Sequence, residues 1–232
     1  MKKIFLLAAA ALLIGVTANA QDVYKQQGGE QNIEVQFAPL GGSPIGIDGI
    51  RYRKFTSATR AIRAEVFLGF QSSTDVMLAG ADDDVELKMG ESTFDITIAA
   101  GMENHWAGTD RLSPYWGYLV SLGFGNERMT EEGIINADED VEKIVSMSQG
   151  SLTIGGAGVV GVDYYFADNI YVGTEIGFGI EFTTMFDENR ESFSETPNDD
   201  GELEIIESSS PGGNEFGVGP YAVGTIRVGF LF

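Results

Sequence analysis

The 232-residue chain contains no cysteine and a single histidine, His105. The absence of cysteine excludes a disulfide scaffold, a thiolate metal site, a cysteine nucleophile and a lipid-modified N-terminal cysteine. Basic residues are also scarce, since 14 Lys and Arg stand against 35 Asp and Glu, for a formal net charge of -21. Because binding to phosphate backbones requires clustered Lys and Arg, this balance argues against a nucleic-acid partner.

Long apolar runs are absent from most of the chain, and a short one lies at the N-terminus. Lys2 and Lys3 precede an unbroken apolar run over residues 4–16, and a Thr-Ala-Asn-Ala sequence then ends at Ala20. These features predict a secretory signal peptide, residues 1–20, that is cleaved after Ala20. The run is too short for a membrane-spanning helix, which needs about 20 residues. We therefore expect the mature chain to be either soluble or a β-barrel.

Period-two alternation of apolar residues with small, polar or charged ones recurs along the mature chain and predicts β-strands. An eighth strand is expected within residues 45–55, where the alternation changes phase and a bulge near Gly49 would resolve the conflict. Eight is an even number, and each strand approaches the roughly 9–11 residues that a tilted membrane strand needs. The seven clearer strands lie in residues 32–38, 63–70, 93–101, 115–125, 151–166, 170–182 and 216–232.

Acidic residues are concentrated in three long segments between the predicted strands: 72–91, 126–147 and 184–215. These segments hold 23 of the 35 acidic residues and only four basic ones. Because long and short connections alternate, an up-and-down structure places the long ones at one end, as in membrane barrels with long extracellular loops. An even strand count then places both termini in the periplasm, with residues 21–30 as a short periplasmic tail. Residues 187–214 are predicted to be disordered when unbound.

Aromatic residues gather near the predicted strand ends in two bands, which is typical of the interfacial girdles of membrane barrels. The alternative is that aromatic residues merely favour strands. The final strand alternates to the last residue and resembles the terminal strand that the barrel-assembly machinery recognises, with Phe230 and Phe232 as the assembly signal. The band at the short-turn end comprises Tyr52, Phe55, Trp106, Tyr115, Trp116, Tyr164, Phe166, Tyr171, Phe230 and Phe232.

Three stretches add a family resemblance: GIRYRKF at 49–55 with AIRA at 61–64, AGTDRLSPY at 107–115, and YYFADNIYVG at 164–173. They resemble small outer-membrane barrel proteins of the Bacteroidetes type, which are OmpA/OmpX-like. The resemblance implies an all-β, eight-stranded antiparallel up-and-down transmembrane β-barrel over residues 31–232, in the bacterial cell outer membrane. It implies no activity, because the family has no shared catalytic motif.

The interior of an eight-stranded barrel is just wide enough for side chains to fill. Because an unpaired buried charge is costly, we expect the inward-facing charges to form a paired structural network that closes the lumen. Glu34 and Arg227 would pair across the first and last strands. A selective pore is the alternative function for the same residues. By strand parity, the inward-facing charges are Glu34, Arg51, Arg53, Arg63, Glu65, Asp95, Asp163, Glu175, Glu181 and Arg227.

Candidate sites for catalysis or metal binding are weak. His105 is expected at a periplasmic turn beside Trp106, whereas the catalytic groups of barrel enzymes lie near the outer rim. The acidic runs at 82–86 and 138–142 lack the spacing and glycine of an EF-hand loop. They are therefore predicted to be solvated loops, and a weak divalent contact shared with lipopolysaccharide phosphates is the alternative.

The sequence thus predicts a non-enzymatic outer-membrane barrel without a cofactor, with a structural role or as an accessory subunit of a larger outer-membrane complex. The expected partners are the lipid bilayer, lipopolysaccharide, the barrel-assembly machinery and another outer-membrane protein. The alternatives are a surface adhesion or ligand-binding protein that acts through its acidic loops, and a minor pore. A soluble lipocalin-like barrel is disfavoured because the small-residue face carries too few charges and too much glycine for an outer surface.

Overall fold

The computed structural model describes residues 24–37, 47–79, 85–136, 141–193 and 205–232. In these residues the chain forms ten strands: β1 (Gln31–Phe37), β2 (Ile47–Ser57), β3 (Arg60–Ala79), β4 (Val85–His105), β5 (Leu112–Asn136), β6 (Val141–Ala167), β7 (Ile170–Met185), β8 (Glu188–Phe193), β9 (Ile205–Ser210) and β10 (Asn214–Leu231). Within the described ranges, no helix has the length and apolar character needed to cross a membrane.

Eight of the ten strands form a closed ring of antiparallel pairs. The order around the ring is β1, β2, β3, β4, β5, β6, β7 and β10, and β10 pairs with β1 to complete it. Strands β8 and β9 form a hairpin outside the ring, and β8 pairs with the upper part of β6. The predicted all-β antiparallel fold is therefore confirmed, whereas a total of eight strands is not, since the described residues contain ten.

The polarity of the ring is inverted relative to that of a soluble protein. Val66, Ile96, Val120, Ile176 and Val228 point away from the ring axis and are 36–64% exposed, as the alternation predicts. Nearer the short turns the opposite face is buried, and its largest side chains are charged or aromatic. A soluble lipocalin-like barrel does not fit this arrangement, because it would bury the aliphatic face. The four largest buried side chains are Arg51, Arg53, Arg63 and Arg227.

The predicted bulge near Gly49 is present in β2. Gln36 of β1 pairs with Gly49, but the next residue, Phe37, pairs with Ile47, so one residue of β2 is left without a partner. The extra residue changes the phase of the strand, which is why the alternation in the sequence breaks there. Beyond the bulge, Arg51 consequently faces the ring interior.

Three aromatic residues of the predicted band at the short-turn end do not lie on the outer face. Phe55, Tyr115 and Tyr171 are fully buried inside the ring, because they share strand parity with the inward-facing arginines and glycines. Phe55 and Tyr171 belong to an apolar cluster at the short-turn end, whereas Trp106 and Trp116 are exposed outside. A second apolar layer lies on the other side of the buried charges and consists of Ala99, Leu119 and Val159.

The segments predicted as long loops are largely strand. β3 and β4 remain paired as far as Ala79 and Val85, and β5 and β6 as far as Asn136 and Val141. Residues predicted to be disordered instead form β8 and β9. Hydrogen-bonded backbones supply this order, which side-chain hydropathy does not reveal. We call the resulting extension the crown: residues 72–79, 85–92, 126–136, 141–150, 188–193 and 205–210.

The acidic runs at 82–86 and 138–142 lie mostly outside the described residues, as do residues 194–204 and the predicted signal peptide.

Candidate functional site

A compact cluster of charged side chains occupies the part of the ring nearer the short turns. Seven of the eight ring strands contribute to it, because inward-facing positions recur at every second residue. No member is more than 6% exposed. We call this cluster the interior network. It consists of four arginines and five carboxylates: Arg51, Arg53, Arg63, Arg227, Glu34, Glu65, Glu103, Asp163 and Glu175.

Glu175 on β7 is held between two arginines from the opposite side of the ring. Arg63 on β3 donates to its two carboxylate oxygens at 2.8 and 2.9 Å. Arg51 on β2 donates to the same two oxygens at 3.3 and 3.0 Å, and the Tyr115 hydroxyl also donates to Glu175. Two-bond contacts of this kind are among the strongest in proteins, so they brace β2, β3 and β5 against β7.

Arg53 on β2 contacts side chains on four other strands. Its Nη1 donates to Glu103 on β4 at 2.8 Å, and its Nη2 donates to Asp163 on β6 at 2.8 Å. The same Nη2 donates to the Tyr171 hydroxyl at 2.7 Å, and Arg53 also forms an ion pair with Glu34. The planar guanidinium group suits this task because its donors point in several fixed directions.

Arg227 lies at the closure of the ring, on β10. Its Nη1 donates to Glu34 on β1 at 2.9 Å, and its Nη2 donates to Asp163 on β6 at 3.0 Å. Arg227 and Glu34, the two residues expected to pair across the first and last strands, are thus in direct contact. Side chains therefore reinforce the backbone ladder between β1 and β10.

His105 faces the interior rather than a solvated turn. Its Nε2 lies 3.2 Å from Glu103 and its Nδ1 lies 2.9 Å from the Ser113 hydroxyl. Phe55 and Tyr115 flank the ring, at centroid distances of 5.3 and 5.1 Å. The histidine was expected at a turn, but β4 continues through residue 105 and its odd-numbered positions face inward. His105 is therefore a buried hydrogen-bonding member beside the network.

Residues 24–30, predicted as a periplasmic tail, are fixed against the short-turn end of the ring. Gln26 is buried, donates to the Ser113 hydroxyl at 2.8 Å and accepts from the Tyr165 hydroxyl at 3.0 Å. Arg111 stacks over the Tyr24 ring at 4.0 Å. This segment thus covers the interior at that end and continues the hydrogen-bonded chain from His105.

Inward-facing glycines provide the space that the long side chains occupy. A Cβ atom at Gly229 would lie 2.1 Å from the Tyr171 ring, and one at Gly161 would lie 2.4 Å from the Tyr115 ring. At Gly173 it would lie 2.4 Å from an oxygen of Asp163. Glycine is therefore required at these positions by close packing and not by backbone conformation.

Asp95 and Glu181, two of the ten residues assigned to the interior, are not brought into the network. Both are exposed, and neither makes an ion pair with another described residue. Glu181 instead borders a cavity of about 260 Å³ next to Leu119 of the second apolar layer. Small residues such as Gly155 and Gly217 also line this cavity. The other eight assigned residues all lie in the network.

Several members of the site were missed by sequence reasoning. Glu103 and His105 follow the predicted end of their strand, although the period-two pattern from Asp95 continues to them. Tyr115 and Tyr171 were interpreted as outer aromatics, although they share parity with the inward-facing Gly117 and Gly173. Strict extension of parity would have identified all four residues, since the register has no shift there.

The chemistry of the site is that of mutual charge neutralisation. Buried ions are tolerated when good geometry and extra hydrogen bonds satisfy them, and Arg51, Arg53, Arg63 and Arg227 each contact at least two carboxylates. Across the described ranges, no group of three or more His, Cys, Asp or Glu side chains is arranged to hold a metal ion. The network can thus brace the ring across its diameter.

A ring of strands with apolar residues outside and paired charges within defines a membrane β-barrel type of protein. Residues 85–208, just over half of the chain, match the family described as the "Putative OmpA-OmpF-like porin family". The chain belongs to this family of outer-membrane β-barrels, which places it in the bacterial outer membrane. No curated protein matches the chain significantly.

Several solved outer-membrane proteins are similar to the chain. Ail, the attachment invasion locus protein of Yersinia pestis, has 13% identity and a TM-score of 0.37, with 89% of this chain and 100% of that chain covered. A major outer membrane protein from Thermus thermophilus has 12% identity and a TM-score of 0.45, with 88% and 99% covered. The N-terminal β-barrel domain of Pseudomonas aeruginosa OprF has 13% identity and a TM-score of 0.28, with 89% and 100% covered.

The Bacteroidetes-type origin, the signal peptide and the periplasmic position of the termini stay predictions.

Proposed function

We propose that this protein is a non-enzymatic outer-membrane barrel whose eight-stranded ring crosses the membrane and whose lumen is closed by the interior network. The observation that carries the proposal is the burial of nine paired charges inside the ring, none more than 6% exposed. An open water-filled pore would leave such side chains solvated. The apolar cluster around Tyr165 and the buried Gln26 support closure at the short-turn end.

The proposed orientation places the short turns and both termini in the periplasm and the crown outside the cell. Exposed valine and isoleucine side chains around the ring suit contact with acyl chains, and the exposed Trp106 and Trp116 suit the interface near the short turns. The crown is acidic, with few apolar residues on its outer face, which suits an aqueous environment near lipopolysaccharide.

The proposed role is structural, or that of an accessory subunit of a larger outer-membrane complex. The network braces the barrel without leaving a free reactive group, and this supports a non-enzymatic role. The accessory role predicts that another outer-membrane protein copurifies after extraction with a mild detergent, through contacts along the lipid-facing strands. Purification of the chain alone under those conditions would favour the structural role.

Conductance in planar bilayers tests whether the lumen is closed. We expect the native protein to show no ion conductance. Joint replacement of Arg63 and Glu175 by alanine removes a contact pair without changing the net charge of the network, and should produce discrete channel openings. Glu181→Ala, which removes an exposed charge outside the network, should remain silent. Steady native conductance that changes on substitution of Arg227 or Glu175 would instead establish the minor pore.

A second candidate function, adhesion or ligand binding through the acidic segments, is favoured by the ordered crown. Six strand segments project beyond the ring there, and their side chains are mostly exposed. This function predicts that deletion of residues 187–210 abolishes binding of the ligand while the ring still folds.

A further inference from the structure

The crown is one continuous sheet whose inner face is largely exposed, although Val145 on this face is buried. Above the ring the strands pair in the order β3, β4, β5, β6, β8 and β9. The register from β3 to β6 continues from the ring without a shift until Ile134, so the inner face of this sheet extends the interior face of the ring. Residues directly opposite each other in the register share a face.

Most of the apolar side chains on the inner face of the crown are methionines. Met129 lies directly opposite Met147, and Met89 faces the same side because it pairs with Glu131 in the register. Methionine side chains are flexible and polarisable, and they occur often on surfaces that accommodate varied apolar groups. The apolar residues of this face whose side chains are described are the exposed or half-buried Met77, Met89, Met129, Met147 and Ile206 and the buried Val145.

Carboxylates are interleaved with these apolar residues. Five lie on the inner face, and none forms an ion pair with another described residue. In the described crown, two bases have the parity of this face: Arg190, and Lys143, which lies opposite Gly133 in the register. Lys88 and Arg128 have the opposite parity. Carboxylates therefore outnumber bases around the methionines by five to two. The five carboxylates belong to Asp75, Glu91, Glu127, Glu131 and Glu188.

A notch in this face combines both properties. It has a volume of about 230 Å³ and is lined by Met129 and Met147, with Glu127 and Glu188 among its other wall residues. Thioethers can pack against the aliphatic stem of a lysine or arginine while carboxylates bind its charged head group. The notch thus has the composition that a long cationic side chain requires.

We propose that the inner face of the crown binds a cationic amphipathic peptide segment, with a lysine or arginine side chain in the notch. Charge complementarity selects a cationic partner, and the methionines select one that also presents apolar side chains. The carboxylates of Glu127 and Glu131 lie four residues apart on β5, or about 13 Å at the usual strand rise. This spacing suits successive charges of a peptide rather than a single bound ion.

The inference concerns a surface outside the interior network and does not depend on closure of the lumen. Channel recordings test closure of the lumen and peptide titration tests the crown, so either proposal can be wrong while the other holds.

The test is a titration of the full chain, in nanodiscs of zwitterionic lipid, with a fluorescent amphipathic peptide of lysine and leucine. Empty nanodiscs measure binding to lipid alone. We expect saturable binding to the protein. The double substitution Glu127→Gln and Glu188→Gln should weaken it by about tenfold, because two desolvated charge contacts are lost. Replacement of both Met129 and Met147 by threonine should also weaken it.

The matched control is the double substitution Glu132→Gln and Glu191→Gln, which removes the same charge from the same two strands on the outer face. It should change the dissociation constant by less than about twofold. Equal weakening by both double variants would mean that diffuse charge binds the peptide and would overturn the proposal. So would the absence of binding above the empty nanodiscs, or equally tight binding of a lysine peptide that lacks leucine.

Discussion

Two glycines of β10, Gly219 and Gly229, face the ring interior but differ in what surrounds them. A Cβ atom at Gly229 would lie 2.1 Å from the Tyr171 ring, whereas at Gly219 it would meet nothing within 4 Å. The Tyr171 hydroxyl accepts hydrogen bonds from Asn32 and Arg53, both at 2.7 Å. A displaced ring would therefore disturb the interior network as well as the local packing.

We predict that Gly229→Ala lowers the free energy of unfolding by about 1–3 kcal/mol, the usual range for overpacking a filled interior. Urea unfolding of the refolded protein in detergent, followed by tryptophan fluorescence, measures the change. Gly219→Ala is the matched control on the same strand and should change the free energy by less than about 0.5 kcal/mol. Equal effects of both substitutions would show that Tyr171 does not occupy the space beside Gly229.

Single residues also show where sequence reasoning stops. The alternation around Arg51, Arg63 and Arg227 is enough to assign these side chains to the interior. The same rule places Asp95 there, but Asp95 remains exposed, because parity gives the face of a strand and not the distance along the ring axis. Contact with Glu175 depends on how the strands are staggered, which no local pattern encodes.

At the scale of elements, the β8–β9 hairpin is separable from the ring. β8 pairs with residues 145–148 of β6, above the segment where β6 pairs with β7. Beneath the hairpin, the Met185 amide donates to the Gly213 carbonyl at 2.8 Å. The chain is thus already closed into a turn at this level, and the paired strands β7 and β10 do not need the hairpin.

We predict that deletion of residues 187–210 leaves the ring folded. The variant should still show the heat-dependent shift in electrophoretic mobility that folded membrane barrels display, with a similar midpoint temperature. As a contrast, deletion of residues 167–169, the last residue of β6 and the short turn to β7, should abolish the shift. Loss of the shift after the first deletion would mean that β8 is needed for pairing of the ring strands.

At the scale of the whole molecule, the last strand closes the ring against the first. The amide of Phe232 donates to the Gln31 carbonyl at 2.8 Å, and the Gln31 amide donates to the Phe232 carbonyl at 2.9 Å. The Phe232 side chain is exposed on the outer face, so its removal leaves the closure of the ring intact. A role of Phe230 and Phe232 in recognition by the assembly machinery can therefore be separated from a role in stability.

We predict that Phe232→Ser reduces the assembled fraction in the outer membrane by several-fold, while refolding of the purified chain in detergent remains unchanged. Cell fractionation with the mobility-shift assay measures the first quantity, and the same assay after dilution from urea measures the second. Val228→Ser, which removes an exposed apolar side chain from the same face of β10, controls for lost lipid contact. An equal loss of assembly in both variants would show that Phe232 has no role beyond contact with lipid.

The sequence by itself determines that the chain is built from antiparallel strands with a large apolar face, and that charges share the other face, because period-two alternation is a local property of each strand. It also locates the bulge near Gly49 from the change of phase. Tertiary structure alone decides that Arg53 contacts Glu103 and Asp163, that His105 lies among Phe55 and Tyr115, and that the acidic segments continue as paired strands. These features depend on stagger between strands and on backbone hydrogen bonds between distant segments, and neither is recorded in the hydropathy of neighbouring residues.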